Sequence, residues 1–277
     1  MSKGPGLFSD FTKKSRDLLH KDYLGDQKIS IFSKTDSGLA FSSNIVKKGS
    51  LSSGYVATQY IYKNANVDVK VDTESNQVLA TVSVTDLIPS TKTISSVKLP
   101  DYKTGKLEVQ YLHHHASCTF AADMNATPSL DFSATVGAPH IAFGAEATFA
   151  TSSKTFSKYN AGVSFTKPEY CVSAILADKG DSINVSFLRH LPHTNGGALV
   201  GEISRRFSTN ENTLTVGCSY VVDPQTMVKG KLNNHGNLSA LVQHEWKAKS
   251  FITMSAAFDT KALNSSPKVG MGLSLCP

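Results

Sequence analysis

The sequence predicts an all-β fold, read as a closed transmembrane β-barrel of about nineteen strands preceded by one short amphipathic helix. Three observations predict it. Apolar and polar residues alternate strictly through most of the chain beyond residue 25, turn-forming clusters interrupt the alternation at short intervals, and helical spacing of apolar residues is confined to the start. A soluble all-β protein shares these features and stays open as the competing reading.

The chain begins with the helical stretch. Phe8, Phe11, Ser15, Leu18 and Leu19 recur at helical spacing and form an apolar stripe, while Lys13, Lys14, Arg16 and Lys21 occupy other parts of the surface. By composition alone such a helix lies on a membrane surface. Gly25 follows as a hinge before the first strand, because glycine tolerates the backbone turn required there. The expected division is residues 1–25 as the helical segment and 26–277 as the β domain.

The strands follow in order. Val67, Val69 and Val71 alternate with Asp68, Lys70 and Asp72, and Leu130, Phe132, Ala134 and Val136 alternate with Asp131, Ser133 and Thr135. Ile141, Phe143, Ala145, Ala147 and Phe149 form the next comb, and Tyr159, Ala161, Val163 and Phe165 continue it. Leu214, Val216, Cys218, Tyr220 and Val222 alternate with Thr213, Thr215, Gly217 and Ser219; Val269, Met271, Leu273 and Leu275 close the chain. "KKGS", "TESNQ", "ADKGDS", "STNEN" and "NNHGN" are turns between such runs. The strand-like segments measure roughly eight to eleven residues, the length a tilted strand needs to cross a bilayer.

Two physical arguments favour the membrane. A soluble sandwich fills its core with large side chains, whereas many apolar positions here are Ala or Val and the opposite face is rich in Ser, Thr, Gly and Asn. Closure into a barrel also pairs every strand edge, as lipid demands. The mean hydropathy of −0.15 and the charged fraction of 18% are compatible with a barrel, which hides its apolar residues at every second position. The first residues carry charges where a secretory signal needs an apolar core, and Asp10, Asp17 and Asp22 are unlike a cleavable mitochondrial presequence. The four cysteines form no CxxC pair, and a formal charge of +6 is spread along the chain without a nucleic-acid-binding module. No nucleophile–base pair, phosphate loop or paired carboxylates stand out, so no enzyme and no cofactor is expected. His113, His114 and His115 are read as a solvated strand end or turn rather than a metal site.

Residues 220–242, "YVVDPQTMVKGKLNNHGNLSALV", resemble the signature of the eukaryotic mitochondrial porins, the voltage-dependent anion channels, at Tyr220, Asp223, Pro224, Thr226, Gly230–Asn234, Ser239, Ala240 and Val242. "SDFTKKSRDLLHKDYLG" resembles the family's first segment at Asp10, Lys13, Arg16, Asp17, Lys21 and Tyr23, and "GPGLFSDFTKKSRDLL" is most similar to the plant branch. Nineteen is the strand number known for this family. The resemblance implies a nineteen-stranded barrel with the helix inside the lumen, and the odd number makes the first and last strands close in parallel.

It further implies a channel of the mitochondrial outer membrane for passive, voltage-sensitive, anion-preferring diffusion of small hydrophilic solutes. Membrane lipids are then its surroundings, small anions, metabolites and nucleotides its permeants, and a homo-oligomer is compatible with it. A soluble ligand-binding protein and an import or assembly factor are the alternatives. Pore-lining and selectivity residues would be Lys13, Lys14, Arg16 and Lys21 on the helix and Lys229 and Lys231 on the wall, both on the polar parity of "TMVKGKLNN". Val69 stands where many animal members carry a lipid-facing glutamate, and the short Gly-Leu-Lys motif is missing, so functions tied to those residues do not transfer. Arg205 and Arg206 cannot both point inward and belong near a strand end, and Trp246 belongs at the membrane surface.

Overall fold

The computed structural model describes residues 4–49, 51–101, 104–125, 127–191, 196–261 and 267–276. Among them, nineteen strands form one continuous sheet that closes on itself. The first five are β1 (Gln27–Lys34), β2 (Leu39–Lys48), β3 (Leu51–Tyr62), β4 (Ala65–Asp72) and β5 (Val78–Thr85). Next come β6 (Thr91–Leu99), β7 (Lys106–Leu112), β8 (Ala116–Asp123), β9 (Ser129–Gly137) and β10 (Ile141–Ala150). They continue with β11 (Thr155–Thr166), β12 (Tyr170–Ala177), β13 (Ser182–Leu191), β14 (Gly197–Arg206) and β15 (Glu211–Asp223). The last are β16 (Thr226–Asn233), β17 (Asn237–Lys247), β18 (Ser250–Asp259) and β19 (Lys268–Leu275).

Each strand is antiparallel to its neighbour in sequence, and β1 closes on β19 in parallel, with Ile29 opposite Leu273. Closure leaves no unpaired edge, the condition a sheet must meet in lipid. The lengths run from 7 residues in β7 to 13 in β15, wider than the sequence pattern suggests. The excess in β15 accompanies a bulge between Val221 and Asp223, which adds a residue without adding a ladder pair.

The alternation resolves into two surfaces. Phe132, Val136, Phe143, Val163, Leu214, Val216, Leu232, Val242, Val269 and Met271 are all exposed on the outside. Ser117, Thr135, Ser164, Ser173, Ser186, Ser239 and Ser255 lie on the other parity and are buried. An apolar exterior and a polar interior are what a barrel needs in lipid, where a mid-depth Lys or Arg facing outward costs about 2–4 kcal/mol.

Helix α1 (Lys13–His20) is shorter than the apolar stripe implies, because the first part of the stripe is a separate 3₁₀ turn, Phe8–Asp10. Lys21 leaves the helix in an extended conformation and Asp22 follows at φ 72°, the left-handed stop that ends many helices. Among the described residues, the apolar cores are two small clusters where this segment meets the wall: Phe8, Phe11 and Ala142, and Leu19, Cys171, Leu188 and Val200. The helix therefore lies inside the barrel and not on its outer surface. No helix among the described residues is long and apolar enough to cross a membrane, and crossing falls to the strands.

His113, His114 and His115 lie in the turn between β7 and β8, exposed as expected, and no group of three described side chains is arranged to hold a metal. Arg205 and Arg206 end β14, where Arg206 pairs with Asp178 and Asp181 and Arg205 lies against Phe207. Trp246 is exposed next to the last residue of β17.

Candidate lumenal site

The N-terminal segment runs from one rim of the barrel to the other. Gly25 precedes β1 at the rim where odd-numbered strands begin, whereas Gly4 abuts the backbone of His113, in the turn where β7 ends. Hydrogen bonds fix the path between them. Gly6 O accepts from Ser117 Oγ at 2.5 Å and from Thr135 Oγ1 at 2.6 Å. Ser15 Oγ donates to Ser186 Oγ at 3.1 Å, which shares a 2.7 Å bond with Ser173 Oγ. Leu24 N donates to Ser255 Oγ at 3.0 Å, and that hydroxyl lies 2.5 Å from Leu24 O.

Apolar contacts sit in places where the wall lacks a side chain. A Cβ on Gly144 would meet Phe8 at 2.6 Å and Phe11 at 3.2 Å, and one on Gly217 would meet Leu19 at 2.7 Å. Gly270 and Gly272 leave the same kind of room for Leu24. These glycines fall on the lumenal parity of their strands, where Ser and Thr are the rule. They are shape-matched recesses: Phe8 and Phe11 share the one at Gly144, Leu19 has Gly217, and Leu24 has Gly270 with Gly272.

The lysines anticipated on the wall face inward, as their parity implies, and both engage the segment. Lys231 Nζ donates to Leu19 O at 2.8 Å and lies 4.4 Å from the centre of the Tyr23 ring. Lys229, only 8% exposed, pairs with Asp22 at 3.5 Å. The first contact places a cation at the C-terminal end of α1, where the helix dipole favours it. On α1, Lys13 pairs with Asp10 at 3.6 Å, while Lys14 and Arg16, and Lys21 just past the helix end, are exposed and make no ion pair among the described residues. Arg16 borders a lumenal hollow of about 420 Å³ shared with Glu146, Lys158, Asp178 and Glu202, and Lys158 binds Glu146 at 2.8 Å. Gly25 is exposed, with nothing near the position a side chain would take, between the anchored Leu24 and β1.

Two titratable groups of the segment feel this packing. Burial, then the positive charge of Lys231, push the His20 imidazole below its ordinary 6.5; Glu202 pulls the other way, and Arg16 adds a smaller push downward. Burial pushes the Tyr23 phenol up to about 12, and its hydroxyl is enclosed without a hydrogen-bond partner. His20 and Lys231 also border a second lumenal hollow of about 520 Å³, with Lys268 and Asp259 on its far side.

Sequence reasoning finds the apolar stripe and the inward lysines but misses the recesses and the serine anchors. Glycine in a lumenal series of Ser and Thr is the one signal that marks the recesses. A pore lined by hydroxyls, amides and cations that are free of ion pairs among the described residues offers a path for water.

Comparison with known proteins agrees with this geometry. The eukaryotic porin family matches residues 4–270. Mitochondrial outer membrane protein porin 2 of Arabidopsis thaliana is 55% identical over 277 residues, covering 100% of both chains. Mitochondrial outer membrane protein porin 5 of Oryza sativa subsp. japonica is 52% identical over 275 residues, covering 99% of each. The outer plastidial membrane protein porin of Pisum sativum is 43% identical over 277 residues, again covering 100% of both. With the closed nineteen-stranded barrel, these matches establish that the chain belongs to the eukaryotic porin family.

Proposed function

We propose that this porin is a voltage-sensitive, anion-preferring channel of the mitochondrial outer membrane that passes small hydrophilic metabolites, nucleotides among them, by passive diffusion. As a porin it is a channel and not an enzyme. The observation that carries anion preference is the cationic surface of α1 held within the lumen, with Lys14, Arg16 and Lys21 free of ion pairs among the described residues. Fixed positive charge in a low-dielectric passage concentrates anions and repels cations. Voltage sensitivity fits a charged segment joined to the barrel through Gly25, which would act as the hinge. Placement in the mitochondrion rather than the plastid rests on the mitochondrial names of the two most similar relatives given above, and the plastidial name of the pea relative marks the alternative.

A soluble ligand-binding barrel would turn its large apolar side chains inward. Here they face out, and this reading has no support. The test is the purified full chain in a planar bilayer under a salt gradient. A reversal potential of the sign set by anions, with conductance falling at both voltage polarities, is expected. A cation-selective or voltage-independent pore would overturn the proposal.

A further inference from the structure

One hollow of the described residues is outside the lumen. It lies on the lipid-facing wall across β7–β12 and encloses about 810 Å³. Its floor follows one row of outward residues paired strand to strand: Cys118 opposite Ala134, Ala134 opposite Ala145, and Ala145 opposite Ala161. Tyr111 ends the row on β7 and Leu176 on β12. Phe120 and Phe132, with ring centres 5.1 Å apart, form one wall together with Tyr159. Phe143 and Val163 stand exposed on the next outward row, beyond the residues that line the hollow.

The dimensions fit one lipid chain. Five strand spacings of about 4.8 Å make the row roughly 24 Å long. It crosses the strands at right angles, and with strands tilted about 40° it descends roughly 15 Å along the barrel axis. Tyr111, one residue from the end of β7, lies beside the opposite rim, so a chain laid along the row runs down this short part of the wall from one rim to the other. The row also starts at the correct level. Leu176 is one residue from the end of β12, and the turn that follows, Asp178–Gly180, brings Lys179 and Gly180 to the end of the hollow. Both hold left-handed backbone, at φ 61° and 89°.

Charge selects the headgroup. The two carboxylates of this turn, Asp178 and Asp181, are engaged by Arg206 at 3.2 and 3.7 Å. Lys179 is exposed and has no ion pair among the described residues, so its ammonium is available at the headgroup level.

We propose that this hollow is a binding site for one anionic glycerophospholipid, its phosphate on Lys179 and one acyl chain laid along the alanine floor towards Tyr111. The proposal rests on the membrane barrel and is independent of ion selectivity.

Native mass spectrometry of the full chain in detergent, titrated with phosphatidylglycerol, tests it. One retained lipid per barrel is expected. Lys179→Glu should weaken retention about fivefold, the effect of losing one lysine from an anionic headgroup. Ala145→Phe with Ala161→Phe fills the floor on a face that tolerates large apolar groups, and should weaken retention more than tenfold. Lys154→Glu, in the β10–β11 turn at the same rim, should change little. Unaltered single-channel conductance in every variant would show that the barrel is folded and that the channel reading stands apart from the lipid site. Equal retention by the native chain and both test variants would overturn the proposal. Loss with the floor variant but not with Lys179→Glu would also overturn it, in favour of a lipid held without its phosphate.

Discussion

Leu19 occupies a recess that exists only because residue 217 is glycine: a Cβ there would lie 2.7 Å from Leu19 Cδ2 and 3.2 Å from Val200. Leu19 itself is 1% exposed. Glycine inside a strand ordinarily weakens it, so Gly217→Ala should help an ordinary strand. Here it should push α1 off the wall. Deleting the anchor by Leu19→Ala should cost docking roughly 2 kcal/mol, the low end for a buried leucine. Cleavage by trypsin after Lys14 or Arg16 reads the undocked population when opening is fast. Both variants should raise the cleavage rate tenfold or more. Gly201→Ala, where no atom lies within 4 Å of the added carbon, is the control and should leave the rate unchanged. Equal rates in all three would mean that the glycine recess does not hold the helix.

Sidedness gives a second prediction. Thr148 faces inward, its Oγ1 2.7 Å from Asp131, whereas Phe143 is 61% and Leu232 48% exposed on the outer face. In a background lacking the four native cysteines, Thr148→Cys should react with a water-soluble thiol reagent. Phe143→Cys and Leu232→Cys should instead be labelled by a lipid-phase probe. The reverse pattern would mean a one-residue slip, which exchanges the two faces of a strand.

What the sequence disclosed depends on the range of each contact. The combs at 141–149 and 214–222 are read correctly because period-two alternation is local, and inward lysines at 229 and 231 follow from the same parity. Parallel closure of β1 on β19 follows from the odd strand number. The pairing of Lys231 with Leu19 O bridges 212 residues, and no local pattern encodes it. The break between the 3₁₀ turn and α1 was hidden because Phe8, Phe11 and Leu19 are spaced well enough for one continuous helix. The lipid-facing hollow was also invisible, since Ala134, Ala145 and Ala161 become neighbours only once the strand register is known.

Acid should loosen the segment. The imidazole of His20 is held below its ordinary 6.5 when α1 is docked, by burial and by Lys231 and Arg16. The undocked state therefore binds the proton more readily, and docking loses stability as pH falls through about 6.5. A spin-label pair at Asp17→Cys and Asn237→Cys, in the cysteine-free chain, should show a single distance at pH 7.5. A second, broader population should appear at pH 5.5. His20→Gln removes the titrating group and should abolish most of the change. A distance distribution that is the same at both pH values would show that His20 is not coupled to docking.

Selectivity is the sharpest test of the lumenal helix. Lys13, Lys14 and Arg16 all lie in the first half of α1, and changing the three to Glu takes each from +1 to −1, a total of six charge units. The helix should survive, because acidic residues in a first turn suit the helix dipole and the buried anchors Phe8, Phe11, Ser15 and Leu19 are untouched. Carboxylates would then face Glu146 and Glu202 across the hollow that Arg16 now borders. Reversal potential in a salt gradient should move from anion towards cation preference. The shift should shrink with added salt, since the Debye length falls from about 10 Å at 0.1 M to about 3 Å at 1 M. Lys47→Glu with Lys48→Glu, at the rim end of β2 where Lys47 lies opposite Gln27, alters four units outside α1 and should shift the potential much less. If the rim pair, scaled for charge, shifts it as much as the helix triplet, selectivity is spread over the whole pore and the cations of α1 hold no special place in it.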